Sequence, residues 1–216
     1  MIRIEHTEVL GWEAAIRGMR NPMNSWDKTD SYWGLLEDPS PINPGDELFF
    51  FVGDNDLDLM KRLCKAGTDH RKFMRMIVVY CDITAPLYWW KEFDTYKVGT
   101  VSNSCSTMHK IHSKKFTLDD FSHDHLYPIS LELLEKNIFH MNAARDLFLG
   151  TKDKRYWWQM IQVLPTSYNQ KRTVMLNYEV LANIYKSRKN HKLDEWRELC
   201  HWITGLPYSE IITGEE

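Results

Sequence analysis

Asn177 and Arg188 stand eleven positions apart. If the chain between them is helical, at roughly 3.6 residues per turn they return to nearly the same face, about 16 Å apart along the axis. That separation suits an extended nucleotide or two ligands side by side, not one small group. Asn183 points roughly 120° away, so one helix face holds all three only if ligands wrap the helix or come from two subunits. Leu181 and Ile184 lie near the Asn177 face, and spacing alone favours an amphipathic helix with capped or solvated amides. The run KVGTVSNSCSTMH over residues 97–109 is rich in hydroxyl and amide side chains, which bond locally and favour turns. It is the best candidate for an anion-cradling loop, although a connecting surface loop has the same composition. Cys105 within it lacks a basic neighbour to activate its thiol and reads as inert. His109, His112, His123 and His125 have HxxH and HxH spacings that can seat a metal ion. No CxxC pair accompanies them, so solvated histidines and no metal are expected. Walker, GxGxxG, GxSxG and HExxH motifs are missing from the sequence.

These residues need elements to hold them. Residues 2–10 alternate as a strand, and Trp12 to Met19 reads as a short helix. Residues 21–47 carry Pro22, Pro39, Pro41 and Pro44 among many Asn, Asp and Ser, the composition of a long loop or insertion. Leu57, Met60, Leu63 and Cys64 have helical spacing up to a stop at Gly67. MIVVYCDIT, residues 76–84, reads as a buried strand ended by Pro86, and LYWWKEFDTY begins a helix. Leu131, Leu134, Ile138, Met141 and Phe148 predict a helix over about 130–149 with Gly150 past its end. Further helices are expected at about 152–162, 172–189 and 193–204. With no internal repeat, the expectation is a single α/β (α+β) domain over 1–216 with a mixed sheet and helices.

The chain has 216 residues, 43% of them apolar and 13% aromatic, enough for one substantial core with aromatics to spare for a planar ligand or a subunit interface. A net charge of -3 and no long basic tract argue against a nucleic-acid polymer or a membrane surface as partner, while a nucleotide-sized partner stays open. No run approaches a membrane span or a signal peptide, and Cys64, Cys81, Cys105 and Cys200 are scattered as reduced thiols would be. A cytoplasmic protein is the expectation.

Taken together, separate segments resemble the flavin-dependent thymidylate synthase (ThyX) family. HRKFMRMIVVYCDITAP, His70 to Pro86, looks like the family segment in which a flavin-contacting histidine precedes a strand ending in Ala-Pro, and LYWWKEFDTY follows where the family has a Trp-containing stretch. Leu164-Pro165, then Asn177, Asn183 and Arg188, match the family's Leu-Pro and subsequent Asn, Asn and Arg without a gap. The resemblance covers most of residues 56–205. The family signature is Arg-His-Arg, two residues, Ser, one residue, Asn-Glu, one residue, Ser, one residue, Arg. Aligned on Asn103 and Ser106, this chain has Tyr96, Lys97 and Val98 for Arg-His-Arg, Val101 for the first Ser, Ser104 for Glu and Met108 for the last Arg. Shifted by one residue, Lys97 takes the third position and Thr100 the first Ser. Losing the planar Arg forks removes bidentate phosphate recognition, for which Lys110, Lys114, Lys115 and Arg172 are candidate replacements.

The resemblance implies a mixed α/β homotetramer with FAD held where subunits meet. It implies reductive methylation of deoxyuridylate to thymidylate at C5, with methylenetetrahydrofolate as carbon donor and NADPH as reductant. His70, Asn177, Asn183 and His191 would contact FAD. Asn103, Ser106 and Lys97 would bind the deoxypyrimidine nucleotide, and Arg188 would bind the pyrimidine and stabilise charge on it. The alternatives are a non-catalytic nucleotide- or flavin-binding descendant and an assembly protein.

Overall fold

A computed structural model describes residues 2–36 and 47–214. Its elements run β1 (Arg3–Leu10), α1 (Trp12–Arg20), β2 (Tyr32–Gly34), β3 (Phe49–Phe51), α2 (Asp54–Lys65), β4 (Val78–Pro86), α3 (Leu87–Phe93), β5 (Val101–Ser104), α4 (Pro128–Thr151), α5 (Lys154–Gln162), β6 (Asn169–Asn177), α6 (Tyr178–Arg188), α7 (Asp194–Thr204) and α8 (Glu210–Thr213). The fold is mixed α/β, as expected. One sheet has the order β1-β4-β6-β5, and β2 pairs antiparallel with β3. Among the described residues no helix is long and apolar enough to cross a membrane.

Three expectations change. Residues 169–177 form a strand, so the helix expected over 172–189 begins only at Tyr178. The period-two pattern decides this: Val174 and Leu176 are buried while Thr173 is exposed. The expected loop at 97–109 contains β5, whose side chains are all exposed. At the sheet margin it needs one neighbour, so small hydroxyl residues suffice. The expected loop at 21–47 holds two 3-10 turns and β2, whose Tyr32, Trp33 and Gly34 face Phe51, Phe50 and Phe49. Its residues 37–46 lie outside the described residues.

The described chain divides into two compact units, and β1, β4 and β6 contribute residues to each. The first comprises Met1–His6, Cys81–Lys97 and Val101–Val174. Its core gathers Ile111, Phe116, Phe121, Leu134, Ile138 and Met141. Buried Asn142 of α4 clamps the backbone of Phe116, donating to its carbonyl and accepting from its N–H, both at 2.9 Å, which pairs the buried amide with the backbone groups it faces. The helix α4 buries the centre of its expected stripe and also exposes apolar side chains away from it: Ile129, Leu133 and Phe139 are 78%, 69% and 77% exposed. It runs through Gly150 to Thr151, and the left-handed residue is Lys152 (φ 59°), from which Asp153 caps α5 through Arg155 N at 2.9 Å. At the start of α3 the N–H groups of Leu87 and Tyr88 bond the carbonyls of Tyr168 and Thr166, both at 3.0 Å.

The second unit comprises Thr7–Tyr80, Val98–Thr100 and Met175–Glu216. Trp12 meets Tyr178 edge to face at 5.3 Å, and Tyr178 donates its hydroxyl to Pro207 O at 2.6 Å. Gly11 must be glycine: it has φ +96°, and a Cβ there would lie 2.1 Å from Met76 O. Fully buried Asp56 accepts from Arg20 Nε (2.7 Å), from the hydroxyls of Thr29 and Ser31 (both 2.6 Å) and from the N–H groups of Asp30 and Ser31 (both 3.2 Å). Arg20 also donates to the carbonyls of Ser25 and Lys28, so one ion pair fastens the whole segment. Burial alone would raise the Asp56 pKa, but the bonds from Ser31, Thr29 and Arg20 outweigh it and hold the carboxyl below its ordinary value.

Candidate functional site

The first unit holds a cavity of about 470 Å³, a size that suits a nucleotide. Ser106, Lys110, Thr84, Cys105, Tyr168 and Lys171 are among its lining residues. Ser106 sits just past β5, where its Oγ accepts from the N–H groups of Met108 (3.2 Å) and His109 (2.8 Å). That turn fixes the oxygen and leaves the hydroxyl proton to donate. The β5–β6 margin continues into this rim: Cys105 N–H donates to Lys171 O at 2.9 Å, and buried Gln170 donates to Cys105 O at 2.7 Å. Lys171 is neutralised by Asp82 at 2.9 Å, and Lys114 pairs with Asp120. The Asp82 carboxyl is held below its ordinary value by bonds from Thr173 and Lys171. Among the described residues the Lys110 ammonium has no ion pair, and the buried Thr84 Oγ1 has no hydrogen-bond partner. The cavity therefore retains the Lys110 ammonium for a guest, with the hydroxyls of Ser106 and Thr84 among the donors of its lining.

Lys97 and Asn103 are exposed and stand outside this lining, as does Lys115. Arg172 is committed elsewhere: its guanidinium lies 4.2 Å from the Trp90 ring centroid, Nη1 donates to Asp94 at 2.7 Å and Nε to Gln170 at 3.0 Å. Among the expected histidines, His123 Nδ1 contacts Phe121 O at 2.8 Å, and His112 packs edge to face on Phe148 at 4.9 Å.

The second unit gathers the other expected residues into three groups along α6. At its N-terminus, Asn177 Oδ1 accepts from Val180 N at 3.0 Å as the N-cap, while Nδ2 makes no hydrogen bond among the described residues. Gly99 (φ +78°) presses against that amide: a Cβ would lie 2.8 Å from Asn177 Nδ2. The adjoining Thr100 Oγ1 is buried without a partner among the described residues. Six residues on, Asn183 Oδ1 accepts from Arg71 Nη2 at 3.1 Å, which joins α6 to the turn carrying exposed His70. Arg71 and Arg75 both meet the almost buried carboxylate of Glu179, Arg71 at 3.7 Å. At the C-terminus, Arg188 lies 4.7 Å over the Trp196 ring and the His191 ring lies 6.1 Å from it. His191 Nδ1 also accepts from Leu193 N at 3.2 Å, fixing the turn into α7.

Arg71, Glu179, Gly99 and Thr84 escaped the reading of the sequence. Glu179 carried a usable signal, since an acid inside the apolar run Tyr178–Ala182 needs a cation when buried. The orphan hydroxyl of Thr84 carried none. Burial pushes the thiols of Cys64 and Cys200 up to about 11 and that of Cys81 to about 12, so these three stay neutral. All four cysteines are free.

No family model matches the chain, and no curated protein matches it in sequence. Solved structures do resemble it in fold. Thymidylate synthase X from Helicobacter pylori with FAD and dUMP superposes with a TM-score of 0.66 at 14% identity, covering 98% of this chain and 96% of that one. A second structure of that enzyme, also complexed with FAD and dUMP, gives 0.66 at 15% identity over 97% and 96%. The UMP/dUMP methylase PolB from Streptomyces cacaoi, bound with 5-Br dUMP, gives 0.59 at 10% identity over 99% and 95%.

Proposed function

We propose that this chain is a flavin-dependent enzyme that reductively methylates C5 of a deoxypyrimidine monophosphate, taking deoxyuridylate to thymidylate. One observation carries the reading. The Arg71–Asn183 bond brings together two segments 112 residues apart, the His70 turn and α6, which the thymidylate synthase resemblance singles out as flavin-binding. The whole-chain likeness in fold to enzymes solved with FAD and dUMP supports it.

The residues at the start of α6 fit a flavin. Asn177 Nδ2 and Thr100 Oγ1 are donors left unspent beside a helix N-terminus, where carbonyl or phosphate oxygens are favoured. His70, Asn177, Asn183 and His191 would hold FAD, which when bound supplies hydride transfer. In the first unit, Ser106 and Lys110 would grip the nucleotide phosphate by a hydroxyl and an ammonium, a point-charge contact in place of a fork. The Arg188 guanidinium would stabilise negative charge developing on a pyrimidine carbonyl through charge-assisted hydrogen bonds. Methylenetetrahydrofolate would supply the carbon and NADPH the reducing equivalents. The exposed apolar residues of α4 support assembly of copies, the homotetramer of the proposal, and a cytoplasmic location completes it.

The test is incubation with FAD, a reductant, methylenetetrahydrofolate and deoxyuridylate or deoxycytidylate, followed by mass analysis of the nucleotide. A gain of one methyl group on deoxyuridylate is expected. A colourless protein that takes up no added FAD would refute the flavin assignment. A second reading, a nucleotide or flavin binder without turnover, is favoured by the cavity's having, among the described residues, only the Lys110 ammonium without an ion pair. Flavin uptake with an unchanged nucleotide would select it.

A further inference from the structure

Two arginines of the second unit reach the carboxylate of Glu179, and their contacts differ. Glu179 is 7% exposed and lies in the first turn of α6, where the helix N-terminus favours an acid. Arg75 meets it with two donors of its fork, Nε to Oε2 and Nη2 to Oε1, the latter at 3.4 Å. That pairing supplies the counter-charge a buried carboxylate requires. Arg71 stands further off. Its Nε lies 3.7 Å from Oε1 and is buried without a hydrogen bond among the described residues. Keeping a second guanidinium there leaves a polar group unsatisfied, a cost that neutralising Glu179 does not explain.

The far end of Arg71 does explain it. Nη2 donates to Asn183 Oδ1 at 3.1 Å, while Nδ2 of that exposed carboxamide makes no hydrogen bond among the described residues. Glu179 and Asn183 are four residues apart on α6, so they share a face and one guanidinium can reach both. A carboxamide carries an acceptor at one end and donors at the other, and only its partners decide which way it points. A guanidinium has donors alone. Beside Arg71 the oxygen must therefore face inward and the NH2 group outward.

We infer that Arg71 and Glu179 are positioning residues for a flavin: Arg71, braced by Glu179, holds the Asn183 carboxamide with Nδ2 outward, so that Asn183 receives a carbonyl or phosphate oxygen of the flavin. This rests on the reading of Asn183 as a flavin contact. It adds the polarity of that contact and two residues that act through it.

Fluorescence titration of the intact protein with FAD and with riboflavin tests it on the parent and on Arg71→Met, Arg71→Lys, Arg75→Met and Asn183→Asp. Arg71→Met frees the carboxamide, and FAD affinity should fall about three- to tenfold, the cost of ordering one side chain on binding. Arg71→Lys keeps a cationic donor and should recover most of that loss. Arg75→Met removes the nearer partner of Glu179 but not the Asn183 bond, so it should lower the melting temperature at parental FAD affinity. A purely structural role for the two arginines predicts equal losses instead. Asn183→Asp, at an exposed position, keeps an oxygen for Arg71 and deletes the outward donor. Thermal circular dichroism should find it as stable as the parent, with FAD bound at least about tenfold more weakly. A loss shared by riboflavin assigns the contact to the ring system, and a loss confined to FAD assigns it to the phosphates. Parental FAD affinity in Arg71→Met or Asn183→Asp, or an equal loss in Arg75→Met, overturns the inference and leaves flavin binding standing. A parent protein that takes up no FAD overturns the flavin reading, and the positioning role with it.

Discussion

Asn177 offers a clean separation of a structural from a ligand-binding role, because its two carboxamide atoms do different things. Oδ1 caps α6 through Val180 N at 3.0 Å, while Nδ2 stands against Gly99 with no hydrogen bond among the described residues. Asn177→Ala removes both and should cost about 1 kcal/mol for the lost cap. In a chain of this size that lowers the melting temperature by about 2–4 °C. Asn177→Asp keeps an oxygen at the cap position, and an acid at a helix N-terminus is as good a cap as Asn, so its melting temperature should stay within about 1 °C of the parent. It removes the Nδ2 donor and puts an oxygen before the flavin. If Nδ2 donates to bound FAD, affinity should fall at least about tenfold in both variants, the cost of losing one bond and facing an acceptor with an acceptor. Thermal circular dichroism and FAD fluorescence quenching read the two quantities independently. Parent-like FAD affinity in the aspartate variant refutes the ligand role. Destabilisation of that variant equal to the alanine variant refutes the cap argument.

Asp56→Ala leaves Arg20 buried without its partner and should destabilise by about 3–5 kcal/mol, seen as a drop of about 10 °C in melting temperature. The Asp56 carboxyl is held below its ordinary value of 3.8, so its contribution is complete above that pH and lost as the pH falls through the folded value. Acid unfolding curves of Asp56→Asn should be flatter below about pH 4 than those of the parent. Arg188→Ala gives up stacking on Trp196, worth about 0.5–2 kcal/mol, and should weaken deoxyuridylate binding or turnover at least about tenfold while FAD content holds; unchanged nucleotide affinity and activity would remove Arg188 from the site. Leu133→Glu on the exposed face of α4 should dissociate the expected oligomer, and light scattering that finds the parent protein monomeric with FAD present would end the assembly argument.

Much of the scaffold was legible because its signals are local. The alternation in β1, the 3-4 spacing of α2 and α4, and Pro86 between β4 and α3 each act within a few residues. The boundary between β6 and α6 was not, since Val174-Met175-Leu176 satisfies either period until tertiary burial selects one. The aromatic pairing of β2 with β3 depends on partners brought from beyond residues 37–46. In the candidate site, Asn177, Asn183 and Ser106 could be found by order along the chain. The partners that fix them, Arg71, Val180 N–H and the N–H groups of Met108 and His109, follow only from three-dimensional packing. Arg172 shows the converse, a cation of the right type already engaged by Asp94, Gln170 and Trp90.

The margins of the four-stranded sheet bear on how the protein behaves when concentrated. Its outer strands are β1 and β5. The first carries Arg3, Glu5 and Glu8 and is bent by a left-handed residue, His6 (φ 53°). The second is four residues long with small polar side chains in three of its positions. Charge, kinking and shortness each blunt the templating of a foreign strand, so neither margin invites amyloid-like growth. Loss of material on storage should therefore be amorphous and begin at exposed apolar helix surface such as Ile129 and Phe139, which a thioflavin-negative precipitate would register.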